Sequence, residues 1–563
     1  MFSKVIRFSG VRCSAMRHCS SQLQNNFQDL AISRFSLQAL SETFKYTTMT
    51  SVQAQSIPPM LQGHDCLAKA KTGEGKTLAF LIPAAELSSR NDADRSEQDM
   101  ISSDSSNSTI PILIISPNRE LAAQIAVEAN ELLEFHSMKN VVCVYGGRSV
   151  QGDVRALKSS NVSMLVATPG RLLDLLENTP HLVKRLKHVK MVIMDEADQL
   201  MEMGFSRAIN NILSFLPRKE SRQTIFFSAT MPPSVKEIAK KHLKNDYMFI
   251  DTVGELTSDQ QTHQHVSQTV VSVKTEDILP AIAAIIEKQR EVPNFKIIVF
   301  LTTARMTGYM AALFAARGID VMEIHSRLSQ AKRTRVSEQF RQASGGAVLF
   351  SSDVSARGLD YPDVTHVLQV GSTTRAQYIH RLGRTARAGK DGSGSLLLFD
   401  YEEKAMLSEL NDMPLKKHDL SDTELVTQRD SLSVTLTGVR EGKFPAIDTL
   451  ASQAYGAYFG FYSAGWIGKF KMDKQALVWK GAEFSRALGL PTTPALSKKA
   501  VGMLGLKGLE GVVVEGTEAT RKRQEAKRPH GQKKIKSGGD GRGIDDRNDK
   551  KRNSSRRGKS HRS

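Results

Sequence analysis

The stretch AKTGEGKT, from Ala70 to Thr77, lies between an apolar segment and the run "TLAFLIPAAEL", which is typical of a helix. A phosphate-binding loop usually reads Gly, four residues, Gly-Lys-Ser/Thr; here Gly-Lys-Thr at 75–77 fits, while Ala70 replaces the first Gly. Such a loop places backbone N–H groups at a helix start, where they contact phosphate oxygens. The stretch therefore predicts a strand, a nucleotide-binding loop and a helix, although Glu74 adds an unusual negative charge.

Short apolar runs recur on the C-terminal side of this loop. They are "ILIIS" (112–116), "VVCVY" (141–145), "MLVAT" (164–168), "MVIM" (191–194), "TIFFS" (224–228), "IIVFL" (297–301), "VLFSS" (348–352), "HVLQV" (366–370) and "SLLLF" (395–399). Their lack of strict alternation is typical of strands buried on both faces of a parallel sheet. Helix-like segments separate them, so the pattern predicts an α/β fold.

Changes in composition divide the 563 residues into segments. We predict a targeting segment (1–26), a first α/β domain (27–245), a linker (246–268), a second α/β domain (269–410), a mainly helical C-terminal extension (411–516) and a basic disordered tail (517–563). The polar stretch 88–109 is predicted to be a surface loop. In the extension, an aromatic stripe, Tyr455 to Trp466, is expected to be a packed helix face, with an RNA-stacking surface as the alternative.

The net charge of +18 is concentrated at the two ends of the chain. Residues 521–563 carry a net charge of +12, and residues 1–26 carry +4 with no acidic residue. The Arg- and Ser-rich N-terminal segment is typical of a transit peptide and favours the mitochondrial matrix, with an ordinary disordered tail as the alternative. The C-terminal charge favours a tail that tethers RNA. The alternatives are a nuclear or nucleolar signal and a tail that only increases solubility. The sequence contains no run of 18 apolar residues, so no membrane span is predicted.

The second half of a nucleotide site is predicted where the run "MVIMDEAD" ends. Asp195 would hold Mg²⁺ together with the Thr77 hydroxyl, and Glu196 would orient and deprotonate the attacking water. Lys76 would reach the β- and γ-phosphates. The alternative is that Asp195 and Glu196 only cap a helix. The predicted phosphate loop at 70–77 disfavours this alternative.

Further short motifs follow in a fixed order, and together they resemble the DEAD-box RNA helicases of superfamily 2, over about residues 27–410. They are "TTMTSVQ" (47–53), "PNREL" (117–121), Gly146–Gly147, "TPGR" (168–171), "DEAD" (195–198), "SAT" (228–230), "VFLTT" (299–303), "QAKR" (330–333), "SSDVSARGLD" (351–360) and "YIHRLGRTARAG" (378–389). The stretch 485–512 is similar to the extension of fungal-type mitochondrial members, which are general RNA chaperones. The resemblance implies two tandem RecA-like domains.

The resemblance also assigns roles in ATP and Mg²⁺ binding and in hydrolysis. The catalytic residues would be Lys76, Asp195, Glu196 and two arginine fingers, Arg384 and Arg387, three apart on a predicted helix. The nucleotide contacts would be Phe27, Gln53, Ala70, Lys71, Thr72, Gly73, Glu74, Gly75, Lys76, Thr77 and Asp360. Ser228, Thr230 and His380 would couple hydrolysis to domain closure. Glu74 is expected to weaken nucleotide affinity modestly, with its side chain toward solvent or a basic partner.

RNA is implied to lie across both domains, held mainly through phosphates and 2′-hydroxyls and therefore without sequence specificity. The expected contacts are Arg119, Gly147, Thr168, Gly170, Arg171, Thr302, Gln330, Arg333 and Ser352. Asn118 and Ser352 stand where the family has Thr, which puts only those RNA contacts in doubt.

The sequence thus predicts a monomeric, ATP-dependent RNA helicase and RNA chaperone that separates short duplexes, in mitochondrial RNA splicing or processing. Its RNA would be structured, such as an intron or ribosomal RNA; no protein partner can be named. Two alternatives remain: an ATP-gated RNA clamp within a larger ribonucleoprotein, and a nucleolar helicase in ribosome assembly.

Overall fold

A computed structural model describes residues 25–71, 73–93, 109–137, 139–158, 161–252, 266–355, 361–386 and 390–516. Residues 1–24 of the predicted targeting segment, residues 94–108 of the predicted surface loop and the basic tail lie outside these ranges, as do Thr72, Asp360 and Arg387. Residues 88–93 are the last residues of a helix, so the prediction of a loop is wrong for them. Within them the chain forms two parallel seven-stranded sheets followed by a helical extension, as the sequence predicts. No helix in the described ranges is both long and apolar enough to span a bilayer.

The first sheet is built from seven short strands, of which the central ones are buried on both faces. They are β1 (Cys66–Lys69), β2 (Ile112–Ile115), β3 (Val141–Val144), β4 (Met164–Ala167), β5 (Met191–Met194), β6 (Gln223–Ser228) and β7 (Met248–Asp251). Their spatial order is β3-β4-β2-β5-β6-β1-β7. The phosphate-loop strand β1 therefore pairs with β6, and both end at the same edge as β5. The sheet continues to Asp251, inside the segment assigned to the linker.

Helices connect these strands and cover both faces of the sheet. They are α1 (Arg34–Gln38), α2 (Ser51–Leu61), α3 (Lys76–Ala93), α4 (Arg119–Leu132), α5 (Val150–Leu157), α6 (Pro169–Asn178), α7 (Pro180–Leu186), α8 (Ala197–Glu202), α9 (Ser206–Ser214) and α10 (Pro233–His242). Asn118 caps α4, because its side-chain oxygen accepts the Leu121 N–H at 2.8 Å. Asn and Thr both serve as helix caps, which explains why Asn118 can replace the Thr of the family motif.

The second sheet repeats the parallel arrangement. Its strands are β8 (Ser267–Val273), β9 (Lys296–Phe300), β10 (Met322–Ile324), β11 (Ala347–Ser351), β12 (His366–Val370), β13 (Ser393–Phe399) and β14 (Lys416–Lys417), in the order β10-β11-β9-β12-β13-β8-β14. The helices between them are α11 (Ile278–Arg290), α12 (Ala304–Ala316), α13 (Gln330–Gln342), α14 (Arg375–Leu382) and α15 (Glu403–Glu409). The edge strand β14 lies beyond residue 410, within the segment predicted as the extension.

Four helices form the extension: α16 (Asp422–Arg440), α17 (Pro445–Ser463), α18 (Lys474–Ala487) and α19 (Lys498–Leu504). Tyr455, Tyr458, Phe459 and Tyr462 on α17 are at most 5% exposed, and they belong to the same apolar core as α11 and α12 of the second domain. The prediction of a packed helix face is confirmed for these four rings. The extension is therefore part of the core of the second domain.

Candidate active site and RNA cleft

The phosphate loop joins β1 to α3 and is held by residues at the N-terminal end of α2. Thr50 and Gln53 form a capping box that starts α2. The same two side chains reach the loop, because the Gln53 amide donates to the Gly75 carbonyl at 3.1 Å and the Thr50 hydroxyl donates to the Glu74 carbonyl at 2.8 Å. Gln53 is thus placed beside the loop, where the sequence predicted a nucleotide contact. Thr50 is a loop contact that the sequence analysis did not assign.

Lys76 and two carboxylates meet at the carboxyl edge of the first sheet. Lys76 Nζ lies 3.1 Å from Glu196 Oε1, and both side chains are at least nine-tenths buried. Burial alone lowers the pKa of Lys76, but the charges of Glu196, Asp195 and Asp198 outweigh it and hold that pKa above its usual value. Lys76 is therefore a fixed cation at the point where triphosphate charge would enter.

Asp195 provides a donor set that suits a hard cation. Burial, and then the neighbouring charge of Glu196, raise the pKa of its carboxyl group. A divalent cation would favour the ionised form, and carboxylate and hydroxyl oxygens are ligands that Mg²⁺ accepts. Thr77, the second residue of α3, supplies such a hydroxyl. The residues present therefore fit the expected Mg²⁺.

Asp198 is the junction between the two domains at this site. Its Oδ2 accepts the Thr230 hydroxyl at 2.7 Å and the Thr230 N–H at 3.0 Å, and it lies 3.4 Å from His380 Nε2 of the second domain. The Asp198 N–H donates to Ser228 Oγ at 3.2 Å. The structure thus brings the three predicted coupling residues onto Asp198: Thr230 and His380 at its buried carboxylate and Ser228 at its backbone N–H. Asp198 is the last residue of the "DEAD" motif, and its role was not predicted from the sequence.

Arg384 is buried beside the same interface. It is 2% exposed, and its Nε donates to the His380 carbonyl at 3.3 Å. The prediction that Arg384 lies on a helix is wrong, because α14 ends at Leu382. Gly383 caps that end, and the left-handed backbone of Ala386, with φ of 53°, cannot continue a helix. Arg384 therefore projects from a turn.

The remaining predicted nucleotide residues differ in how accessible they are to a nucleotide. Phe27 is only 2% exposed and packs in the core of the first domain, so little of its ring is available to stack on a base. Ala70 is fully buried, and its N–H donates to the Ser228 carbonyl at 3.1 Å. Lys71 is half-buried and Gly73 exposed. The predictions for Thr72, Asp360 and Arg387 lie outside the described residues.

Glu74 points to neither solvent nor a basic partner. Its Oε2 accepts the Lys71 N–H at 3.1 Å, which closes the phosphate loop on itself. The same oxygen accepts the Thr252 hydroxyl at 3.4 Å, just after β7. The expectation for the direction of this side chain was therefore wrong. The carboxylate stabilises the loop, yet it keeps a negative charge within it.

Replacing Glu74 separates these two effects. Glu74→Gln keeps an acceptor for both donors and removes the charge, so we expect ATP to bind about two- to fivefold tighter. Glu74→Ser removes the charge but shortens the side chain, so a smaller gain is expected. Titration with a fluorescent ATP analogue measures both. Much weaker binding by both variants would show that the carboxylate has a positive role in nucleotide binding.

A cleft of about 770 Å³ opens between the two domains, away from Lys76. Its lining includes Arg119, Thr168, Gly170, Arg171, Arg333 and Ser352, all predicted RNA contacts. The N-terminal ends of α4 and α6 lie at this cleft, with α6 beginning at Pro169 directly after Thr168. Such helix starts present backbone N–H groups that suit phosphate oxygens.

Gly147 and Arg119 fit each other at the edge of this cleft. The backbone of Gly147 is left-handed, with φ of 91°, and a Cβ atom there would overlap the Arg119 guanidinium. Glycine at this position thus fulfils both a conformational and a packing requirement. The pairing fixes the direction of a predicted phosphate ligand.

Two of the predicted arginines already have acidic partners. Arg171 forms an ion pair with Asp153 and donates to the Arg148 carbonyl at 2.9 Å. Arg333 of the second domain lies 3.0 Å from Glu120 Oε1 of the first domain. These guanidinium groups position the cleft walls, and a phosphate would have to share them. The sequence analysis missed both carboxylates.

The last predicted RNA residues lie near the cleft, outside its immediate lining. Gln330 donates its amide to Glu120 at 3.1 Å, which is a second contact between the domains. Thr302 is half-buried just after β9 and packs near Gly371. Gln377 of α14 lines the cleft and was not predicted.

The fold and the site define a class. Two parallel α/β domains place a phosphate loop and paired carboxylates in the first domain, and His380 of the second domain lies 3.4 Å from Asp198 beside them, so both domains border one nucleotide site. This is the arrangement of a two-domain, closure-dependent nucleoside triphosphatase.

Comparisons with known proteins agree with this class. The DEAD/DEAH box helicase model matches residues 50–238, and the helicase conserved C-terminal domain matches residues 276–389. The chain is 41% identical to DEAD-box ATP-dependent RNA helicase 26 of Oryza sativa subsp. japonica, over 87% of this chain and 86% of that protein. A relative named DEAD-box ATP-dependent RNA helicase 25 from the same plant is 40% identical, over 86% of this chain and 78% of its own length.

Among solved structures, the fold is similar to Mss116p, with its NTE and C-tail deleted, bound to single-stranded RNA and AMP-PNP. The TM-score is 0.71 at 26% identity, covering 85% of this chain and 94% of that one. The chain belongs to the DEAD-box ATP-dependent RNA helicase family. Its activity is that of an ATP-dependent RNA helicase, with RNA-stimulated ATP hydrolysis.

Proposed function

We propose that this helicase is an RNA chaperone of the mitochondrial matrix, which separates short RNA duplexes locally during splicing or processing of structured RNA. The observation that carries the proposal is that the same pair of domains forms both sites. The His380–Asp198 contact completes the nucleotide side at 3.4 Å, and the Arg333–Glu120 contact closes the RNA side at 3.0 Å.

Because one closure assembles both sites, ATP binding and RNA binding reinforce each other. Lys76 and Arg384 neutralise phosphate charge from opposite domains, while Glu196 holds the attacking water and accepts its proton. Bound Mg²⁺, held by Asp195 and Thr77, would neutralise charge that develops on the phosphates. After hydrolysis the nucleotide connects the domains less strongly, so they separate and release the RNA strand.

RNA binding without sequence specificity follows from the cleft lining. Helix starts, glycine backbone and guanidinium groups recognise phosphates and 2′-hydroxyls, which every sequence presents. A strand held across two closing domains cannot keep the geometry of a duplex. Such a device suits a chaperone acting on many RNAs, including intron or ribosomal RNA, as a monomer.

The mitochondrial part of the proposal is supported by composition. Residues 1–26 carry a net charge of +4 without an acidic residue, as transit peptides do. A strongly basic C-terminal segment favours tethering to large RNA, with binding that weakens steeply with salt. A nucleolar helicase in ribosome assembly is the alternative compartment and task.

A strand-displacement assay tests the proposed activity. The substrate is a short RNA duplex with a single-stranded tail, with one strand fluorescent. We expect release that requires ATP and is absent with ADP. ATP-dependent retention of RNA without strand release would instead support the ATP-gated clamp.

The compartment needs a separate experiment in cells. Crosslinking the protein to RNA and sequencing the attached RNA is expected to recover mitochondrial transcripts. Recovery of ribosomal RNA precursors of the nucleolus would contradict the mitochondrial assignment and leave the helicase activity untouched.

A further inference from the structure

A fully buried carboxylate, Glu402, lies in the turn after β13. It accepts four hydrogen bonds: from the Ser372 N–H at 3.0 Å, the Ser372 hydroxyl at 2.7 Å, the Phe399 N–H at 3.0 Å and the Tyr462 hydroxyl at 2.7 Å. Burial raises the pKa of Glu402, and these donors act in the opposite direction. All four donors are neutral, so their fixed positions are what make a buried carboxylate tolerable here.

The four donors come from three different parts of the chain. Phe399 belongs to the second sheet, Ser372 to the loop that follows β12, and Tyr462 to α17 of the C-terminal extension. Glu402 therefore ties the extension to the loop 371–374. Loss of any one donor would leave a buried acceptor partly unsatisfied, which costs more than an ordinary hydrogen bond.

The same loop also contacts Thr302, a predicted RNA residue, and the start of α14. Gly371 has φ of 81°, and a Cβ atom there would lie 2.8 Å from Thr302 Cγ2, so Thr302 rests directly on its backbone. Thr374 caps α14 by accepting the Gln377 N–H at 3.3 Å. Gln377 lines the cleft, and His380 lies one turn further along the same helix. The loop thus supports both a predicted RNA contact and the coupling helix.

We propose that Glu402 and Tyr462 are positioning residues through which the docked extension sets the RNA affinity of the second domain. The contacts run from Tyr462 to Glu402, from Glu402 to Ser372, and through Gly371 to Thr302. The proposal rests on the assignment of RNA to the cleft between the domains. It gives the extension a specific role at that cleft, beyond its contribution to the core.

Two tyrosines one turn apart on α17 provide a matched pair of variants. Tyr458 and Tyr462 are 5% and 2% exposed, and each loses one buried hydroxyl on replacement by Phe. The Tyr458 hydroxyl pairs with that of Tyr401 at 3.0 Å, whereas the Tyr462 hydroxyl reaches Glu402. Both variants are expected to lose stability, Tyr462→Phe more than Tyr458→Phe because its hydroxyl donates to a buried carboxylate, while an effect on RNA is expected for Tyr462→Phe alone.

The full-length protein is assayed for RNA-stimulated ATP hydrolysis, and RNA binding is measured separately by fluorescence anisotropy with AMP-PNP. For Tyr462→Phe we expect the half-stimulating RNA concentration and the RNA Kd to rise about fivefold, within the range of such indirect couplings. The kcat at saturating RNA and the KM for ATP are expected to stay within about twofold of the unmodified protein. Tyr458→Phe is expected to match the unmodified protein in all four quantities.

Ser372→Ala tests the same connection from the loop side, and it decides the question if Tyr462→Phe does not fold. It removes one donor to Glu402 and is expected to weaken RNA binding in the same way. In a Thr302→Val background the effect of Tyr462→Phe should shrink, because the two changes act along one path.

Equal RNA effects from both tyrosine variants, or unchanged RNA binding by Tyr462→Phe and Ser372→Ala, would overturn the proposal. If the assignment of RNA to the cleft between the domains is itself wrong, the result differs: the unmodified protein would show neither RNA-stimulated hydrolysis nor RNA binding.

Discussion

Glu196→Gln is expected to lower RNA-stimulated ATP turnover by about 10²- to 10⁴-fold, the usual contribution of a positioned general base. The amide has nearly the shape of the carboxylate but cannot accept the proton of the attacking water. Glu196 is 3% exposed, with a left-handed backbone at φ of 48°, so its side chain is held by the turn that starts α8. The amide is not expected to disturb that turn.

ATP and RNA binding should survive this substitution. Gln removes a negative charge close to the γ-phosphate, and Lys76 keeps the charges of Asp195 and Asp198 nearby. We therefore expect RNA to be retained in the presence of ATP for much longer than with the unmodified protein. Phosphate release measures turnover, and anisotropy of labelled RNA measures retention.

Glu177→Gln serves as the matched control, because it makes the same chemical change at an exposed position of α6. It should behave like the unmodified protein in both assays. Full RNA-stimulated hydrolysis by Glu196→Gln would refute the role assigned to the carboxylate. Loss of ATP binding together with turnover would show that Glu196 acts mainly through the Lys76 ion pair.

The strands of both sheets could largely be predicted because parallel strands buried on two faces are continuous apolar runs. The run at 112–116, for example, corresponds to β2 at Ile112–Ile115. The edge strand β7 was missed because it lacks this signal: Met248 and Phe249 are 44% and 55% exposed. The two-residue strand β14 is too short to show any period.

The candidate site was predictable where its chemistry is local in the chain. The phosphate loop and the pair Asp195–Glu196 are each contained in fewer than ten residues. The carboxylates that join the domains were missed because their partners are distant in sequence. Glu120 meets Gln330, 210 positions away, and nothing in either segment alone indicates that contact.

Local propensity also misled the prediction in two places. The spacing of Arg384 and Arg387 suggested one helix face, but Gly383 ends α14 before either arginine. Glu74 was expected to point to solvent or to a basic partner because the backbone N–H groups of the loop were expected to make the phosphate contacts. A free backbone N–H three residues earlier gave its carboxylate a better partner within the loop.

Arg384→Lys is expected to abolish most of the RNA stimulation of ATP hydrolysis. Arginine fingers contribute roughly 10³- to 10⁵-fold to turnover in such enzymes, because a planar guanidinium can contact two phosphate oxygens at once. Lys keeps the charge but loses this geometry. Arg384 belongs to the second domain, whereas Lys76 and Glu196 belong to the first, so only the closed arrangement brings these groups to one phosphate.

This division between domains makes the ratio of stimulated to basal hydrolysis the most informative quantity. Basal hydrolysis without RNA proceeds mostly with the domains apart and should change little in Arg384→Lys. At saturating RNA the turnover should fall toward that basal value, while the RNA Kd measured with AMP-PNP stays within a few-fold. Arg375→Lys is the control, since Arg375 is on α14 and pairs with Asp412 at 2.5 Å. If Arg384→Lys retains the full stimulation ratio, closure acts on hydrolysis through other groups, and the Asp198–His380 contact becomes the first of these to test.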